Sequence, residues 1–215
     1  MLQEAIRFHA PIRTLACAES FTLPPLPDGV RVVCMPDDLL QSVSTMNAPQ
    51  GVSFTVAMPQ NELPRVLDGK HYLILDGVQD PGNVGTILRT ADAFFCDGIF
   101  LVNACADVYA PKAARATMGA IFRQRIAFCT VEALVNCLNE NHIPLFATAL
   151  REDTAQITDV DFSTAAVAIG SEGQGLSREI LDHAEKTILI PMSERCESLN
   201  AGVAASIVLW EMYRK

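Results

Sequence analysis

The sequence predicts an α/β protein, a parallel sheet with helices on both faces, preceded by a small α+β segment. Two observations carry this. From Tyr72 onward, short apolar runs of buried-strand length alternate with stretches of helical period. Such alternation implies parallel strands joined by helical crossovers. Half of the 215 residues are hydrophobic and 19% are charged, which is enough apolar material for a core and excludes a disordered chain.

Residues 1–60 differ in texture. Pro11, Pro24, Pro25, Pro27, Pro36 and Pro49 interrupt strand-like pieces at Val30–Cys34 and Val52–Val56. Pro36-Asp37-Asp38-Leu39-Leu40 reads as a helix start, with proline early and acids in the first turn. Residues 61–70, with Pro64 and Gly69, read as a linker into a larger domain over 71–215. There, Tyr72–Leu75, Gly98–Val102, Ile143–Thr148, Ala165–Ile169 and Thr187–Ile190 are expected strands. Asn83–Phe95, Thr130–Asn141, Leu176–Ala184 and a last stretch from about Ser198 to Met212 are expected helices, Thr130 capping the second.

Sixteen basic and 25 acidic residues leave a net charge of −9. A generic nucleic-acid coat is strongly basic, so any nucleic-acid contact must be local. Between Asp107 and Glu132 there is no acid, but there are Lys112, Arg115, Arg123 and Arg125, the best candidates for phosphate contact. No apolar run reaches the roughly 18–20 residues of a membrane span, and the N-terminus lacks a secretory pattern. Cys17, Cys34, Cys96, Cys105, Cys129, Cys137 and Cys196 are scattered, with no C-x-x-C and no histidine at ligand spacing. Reduced, mostly buried cysteines are expected, with neither a disulfide framework nor a metal site.

Chemistry in such sheets gathers at the C-terminal strand ends, and three loops there stand out. Asp76-Gly77-Val78-Gln79-Asp80-Pro81-Gly82-Asn83 runs from a strand into a helix that carries Arg89 among Ile87, Leu88 and Ala91. Gly170-Ser171-Glu172-Gly173-Gln174-Gly175 places three glycines after a strand, so a ligand can approach the backbone. The spacing G-x-x-G-x-G is not the dinucleotide fingerprint. The third loop, Ile190 to Asn200, ends in Ser198 and Asn200, residue types suited to a helix N-terminus, which can also hold an anion.

Together these loops resemble the SpoU (TrmH-type) family of RNA ribose 2′-O-methyltransferases. The motifs are Asp80-Pro81-Gly82-Asn83-Val84-Gly85 with Arg89-Thr90-Ala91; Gly170 to Leu176; and Ile190-Pro191-Met192 with Ser198-Leu199-Asn200. Ala110 to Gly119 also resembles a family segment, and the match covers about residues 70–213. The resemblance implies a C-terminal trefoil knot, although knots are otherwise nearly absent from proteins. It implies S-adenosylmethionine held in the knot by Gly170, Ile190, Leu199 and Met192, and a homodimer with its sites near the subunit interface. Residues 1–60 resemble a shortened ribosomal-protein-like RNA-binding domain, with Asn47-Ala48-Pro49-Gln50-Gly51-Val52 as its closing turn. The chain departs from the family at Glu194, where glycine is frequent, and at Ala201-Gly202, where Val-Ser is common.

The implied reaction is attack of a ribose 2′-hydroxyl of transfer or ribosomal RNA on the donor methyl, in a cytoplasmic enzyme. It asks for alignment and charge stabilisation rather than a metal. Arg89 is the expected activating group, as an unusual base or as a clamp on the neighbouring phosphate. Asn83, Glu172, Ser198 and Asn200 are expected to organise the site. The alternative is a non-catalytic RNA-binding or ribosome-assembly protein on the same fold; retention of Arg89, Glu172 and Asn200 counts against it.

Overall fold

The computed structural model describes residues 1–215 except 45, 47, 48, 152, 153, 194 and 197. Asn47, Ala48 and Glu194, singled out from the sequence, therefore lie outside the described residues. The chain divides into two compact units, Met1–Gln60 and Asn61–Lys215.

The first unit contains α1 (Leu2–Arg7), β1 (Ile12–Ala18), β2 (Arg31–Met35), α2 (Asp37–Val43) and β3 (Val52–Val56). Its sheet has the order β2-β1-β3, with β1 parallel to β2 and antiparallel to β3. The sequence reading anticipates β2, α2 and β3 but not α1 or β1. In β1, Ile-Arg-Thr-Leu-Ala-Cys-Ala lacks clean alternation, because a central strand packs side chains on both faces and a register shift falls between Ile12 and Thr14.

The second unit holds seven strands. They are β4 (His71–Asp76), β5 (Gly98–Val102), β6 (Ile126–Phe128), β7 (Leu145–Thr148), β8 (Ala155–Gln156), β9 (Ala165–Gly170) and β10 (Lys186–Leu189). The order is β6-β5-β4-β9-β7-β10-β8, and every neighbouring pair is parallel. The helices are α3 (Pro81–Ala93), α4 (Pro111–Ala116), α5 (Val131–Glu140), α6 (Arg178–His183) and α7 (Ala201–Arg214).

Alternation along each strand sorts the core into two layers. Leu73, Leu75, Ile99, Leu101, Val167 and Ile169 meet Ile87, Leu88, Ala205 and Val208 of α3 and α7. Tyr72, Ile74, Phe100, Ala166 and Ala168 meet Leu134, Leu138 and Ile180 of α5 and α6. Helices therefore cover both faces, as the near-continuous burial of β4, β5 and β9 requires.

The stretch expected as a linker is bound to the second unit. Asn61 accepts a backbone bond from Phe128, its side chain pairs with the Tyr109 hydroxyl, and Leu67 N–H donates to Asn141.

Candidate active site

Parallel strands place all their C-terminal ends on one edge of the sheet. In register, Asp76 at the end of β4 lies opposite Gly170 at the end of β9. The chain order reverses here, since β4 leads outward to β5 and β6 while β9 lies on the other side. Open α/β sheets carry their ligand crevices at such a switch point.

Loop one enters α3 through Asp80, not through Asn83 as its residue type suggests. The Asp80 carboxylate accepts the Asn83 backbone N–H at 2.9 Å, and Pro81 occupies the first turn. Lys112 on α4 reaches the other Asp80 oxygen at 3.3 Å. The capped Asn83 amide first, then Lys112, hold Asp80 below the usual carboxylate range. The Asn83 side chain is thereby free to face the other loops.

It meets both of them. Asn83 Nδ2 donates to Glu172 Oε1 from loop two, and Asn83 Oδ1 accepts from Asn200 Nδ2 at 3.1 Å. Asn200 in turn caps α7, its Oδ1 accepting from Gly202 and Val203 N–H at 3.0 and 3.3 Å. The Ala201 N–H lies 3.4 Å from Glu172 Oε1. One carboxylate and two amides from residues 83, 172 and 200 thus tie the three loops into one junction.

Loop two is held by backbone geometry. Ser171 and Gly175 form a two-way backbone bridge at 3.2 and 2.9 Å, with Gly175 at φ +68°. A Cβ on Gly170 would stand 2.5 Å from the Leu176 amide nitrogen and closer still to the Gly175 carbonyl. Only glycine admits this approach. Gly173 and Gly175 face open space instead.

Sequence reasoning missed Asp76. It is 3% exposed, accepting from Ser177 N–H at 2.6 Å and from Asn103 Nδ2 at 2.5 Å. It joins the end of β4 to the far side of loop two. An acid closing an otherwise apolar strand was the available signal.

The remaining expected site residues do not join the junction by hydrogen bonds. Ile190 and Leu199 are partly buried, while Met192 and Ser198 are exposed. Arg89 is exposed, and its side chain has no hydrogen bond or ion pair among the described residues. It stands six residues beyond Asn83, about 9 Å along α3, and helical side chains lean back toward the N-terminus.

The four basic residues separate. Lys112 lies beside loop one, and Arg115 is exposed on α4, which packs against α3 through Gly85. Arg123 grips Asp92 with Nε at 3.0 Å and Nη2 at 2.7 Å, while Arg125 pairs with Asp68. Both precede β6 and line a cleft of about 360 Å³ with Asp68, Asp92 and Asp97. That cleft lies at the starting edge of the strands, away from the three loops. Among the described residues, no three His, Cys, Asp or Glu side chains form a metal-binding group.

The sequence model of the SpoU rRNA Methylase family matches residues 70–210. The chain belongs to this family. Among SpoU relatives, the 23S rRNA (guanosine(2553)-2′-O)-methyltransferase RlmP of Bacillus subtilis is 26% identical over 213 residues, 99% of this chain and 85% of that protein. An uncharacterized tRNA/rRNA methyltransferase of Synechocystis, slr1673, is 34% identical over 179 residues, 82% of this chain and 65% of its own length. The crystal structure of the SpoU methyltransferase AviRb from Streptomyces viridochromogenes, in complex with its cofactor AdoMet, superposes with a TM-score of 0.87 at 28% identity. That match covers 99% of this chain and 86% of AviRb. The matched span, residues 70–210, contains all three loops that the junction ties together.

Proposed function

We propose that the chain transfers a methyl group from S-adenosylmethionine to a ribose 2′-hydroxyl of transfer or ribosomal RNA. The observation that carries this is the Asn83–Glu172–Asn200 junction, which joins the three family motifs at one edge of the sheet.

The residues present suit the donor. Ile190, Met192 and Leu199 offer apolar side chains with some exposed surface in the third loop, and in the second Gly173 and Gly175 leave the backbone open. These residues and Gly170 would hold the adenosyl group. S-adenosylmethionine bound there supplies an electrophilic methyl group.

A ribose hydroxyl is a poor nucleophile until its proton leaves. Arg89 is better suited to act as a cation than as a base, because a guanidinium does not give up its proton in proteins. As a cation it clamps the phosphate next to the target ribose, and that phosphate or water takes the proton. Its exposure, without a side-chain partner among the described residues, supports this role. Lys112 and Arg115 extend the phosphate track. Arg123 and Arg125 are ion-paired at the other edge and belong to the fold.

The first unit is the RNA-substrate module in this reading, with Arg7, Arg13 and Arg31 as its exposed cations. The protein works as a homodimer in the cytoplasm. On α7, Val203, Trp210 and Tyr213 remain 48%, 50% and 49% exposed, and Trp210 and Tyr213 cluster with Phe94 and Phe95. Such an aromatic patch on a monomer marks an interface. No helix among the described residues is long and apolar enough to cross a membrane.

Mapping 2′-O-methyl groups in RNA from cells with and without the protein tests the reading. One or more ribose positions should lose methylation in its absence; an unchanged map would overturn the assignment.

A further inference from the structure

We propose that Cys17 and Cys34 form an oxidisable dithiol, a covalent-modification site that reacts with a peroxide and closes to an intramolecular disulfide. The pair belongs to the first unit and rests on none of the methyl-transfer machinery.

Geometry supplies the first support. The parallel register of β1 and β2 sets Cys17 directly opposite Cys34, so their side chains emerge on the same face. Neighbouring strands stand about 4.8 Å apart, inside the roughly 4.4–6.8 Å Cα separation a disulfide accepts. The sulfurs are already 3.3 Å apart. Bonding needs them to close to about 2.05 Å, which side-chain rotation can supply while the strand pairing stays. Among the described residues no other two cysteines are hydrogen-bonded to each other. Cys96, Cys105, Cys137 and Cys196 donate to backbone carbonyls instead.

The two thiols also differ in the way a reacting pair requires. Cys34 is exposed and Cys17 is 1% exposed. Burial, then the bond to Cys34, pushes the Cys17 thiol up. Cys34 therefore meets the oxidant first and Cys17 resolves it.

The Cys34 thiolate attacks one peroxide oxygen; the O–O bond breaks, and the departing hydroxide takes a proton to become water. Cys34 is left as a sulfenic acid. Cys17 Sγ then attacks the Cys34 sulfur; the S–O bond breaks, and the hydroxyl leaves as water with the Cys17 proton. Two thiols and one peroxide give one disulfide and two waters. The pair loses two electrons and the peroxide gains them. The new bond encloses residues 18–33, including the proline-rich connection from β1 to β2, which has no regular structure between Ala18 and Arg31. It thereby fixes both ends of that connection.

The test treats the reduced full-length chain with one equivalent of hydrogen peroxide, blocks remaining thiols with N-ethylmaleimide, digests with trypsin and maps the peptides by mass. The expected product links Thr14–Arg31 to Val32–Arg65, is lighter by two hydrogens, and is separated by dithiothreitol. Cys34→Ser should abolish the linked peptide and leave Cys17 reduced. Cys17→Ser should leave a Cys34 sulfenic acid that dimedone traps. Wild-type Cys34 running on to sulfinic acid without the link would overturn the proposal. So would a Cys34 bond only between two chains, or oxidation confined to Cys196. Should either serine variant fail to fold, the wild-type peptide map still decides.

Discussion

Asn83 and Asn200 are 117 residues apart in sequence and share a 3.1 Å hydrogen bond. Asn83 sits in the first turn of α3 and Asn200 caps α7, so the bond fastens two helix N-termini together over Glu172. The loops expected to hold the donor are thus positioned by side-chain amides whose own places are set by helix caps.

Asn200→Ala removes a cap and the link to Asn83 together. A lost asparagine cap costs about 1 kcal/mol, a fall in Tm of roughly 2–4 °C for a chain of this size. S-adenosylmethionine affinity should fall further than that cost explains, because loop three loses its tether to loop one. Calorimetric titration beside thermal melting separates the two effects. Equal affinity in wild type and variant would show the junction to be irrelevant to the donor.

Asp76→Ala leaves the Ser177 N–H and the Asn103 amide without their buried acceptor. Leaving a buried donor unsatisfied costs about 1–3 kcal/mol, so with two donors a loss of about 2–6 kcal/mol is expected. A urea midpoint shift at constant m-value measures it.

Gly170→Ala and Gly173→Ala form a contrasting pair. The first forces a Cβ into the Gly175–Leu176 backbone, while the second meets nothing within 4 Å. Gly170→Ala should displace loop two, destabilise the chain and abolish donor binding; Gly173→Ala should leave folding unchanged. A bulky residue at position 170 is a poor probe of the donor alone, because the clash is with the loop's own backbone.

Asp80 and Glu211 contribute acid sensitivity, together with Asp68, which Arg125 holds below the usual carboxylate range. The Asn83 amide depresses Asp80, and the Arg214 guanidinium depresses Glu211. A carboxylate held below its unfolded value contributes stability above that value, about pH 4, and loses it as pH falls through the folded one. Urea midpoints should therefore fall below about pH 4. Asp80→Asn, which keeps a cap oxygen without the charge, should show a smaller acid-induced drop than wild type.

The sequence made the sheet legible wherever burial on both faces left an apolar run, as in β4, β5 and β9. It hid β6, three residues between Arg125 and Cys129, and β8, only two residues long. Strand order was not readable, because the insertion of β9 between β4 and β7 depends on contacts distant in the chain. The three loops were legible because glycine, asparagine and serine mark strand-to-helix turns. Arg123 and Arg125 looked like free phosphate ligands because their partners, Asp92 and Asp68, lie 31 and 57 residues away.

Arg89→Ala should leave Tm and donor affinity nearly unchanged, since the side chain has no partner to lose among the described residues. Methyl transfer should fall by roughly two to three orders of magnitude, the scale of removing a charge-stabilising group. Arg89→Lys should restore little, because a point charge cannot reproduce a planar two-pronged contact to phosphate. Recovery by lysine would reduce the role to charge alone.

The most direct test of methyl transfer to ribose is to incubate the purified chain with methyl-labelled S-adenosylmethionine and ribosomal or transfer RNA, then digest the RNA to nucleosides. The label should appear in a 2′-O-methylnucleoside and be lost with Arg89→Ala. Label in a base-methylated nucleoside, or no label while the donor binds, would contradict the account.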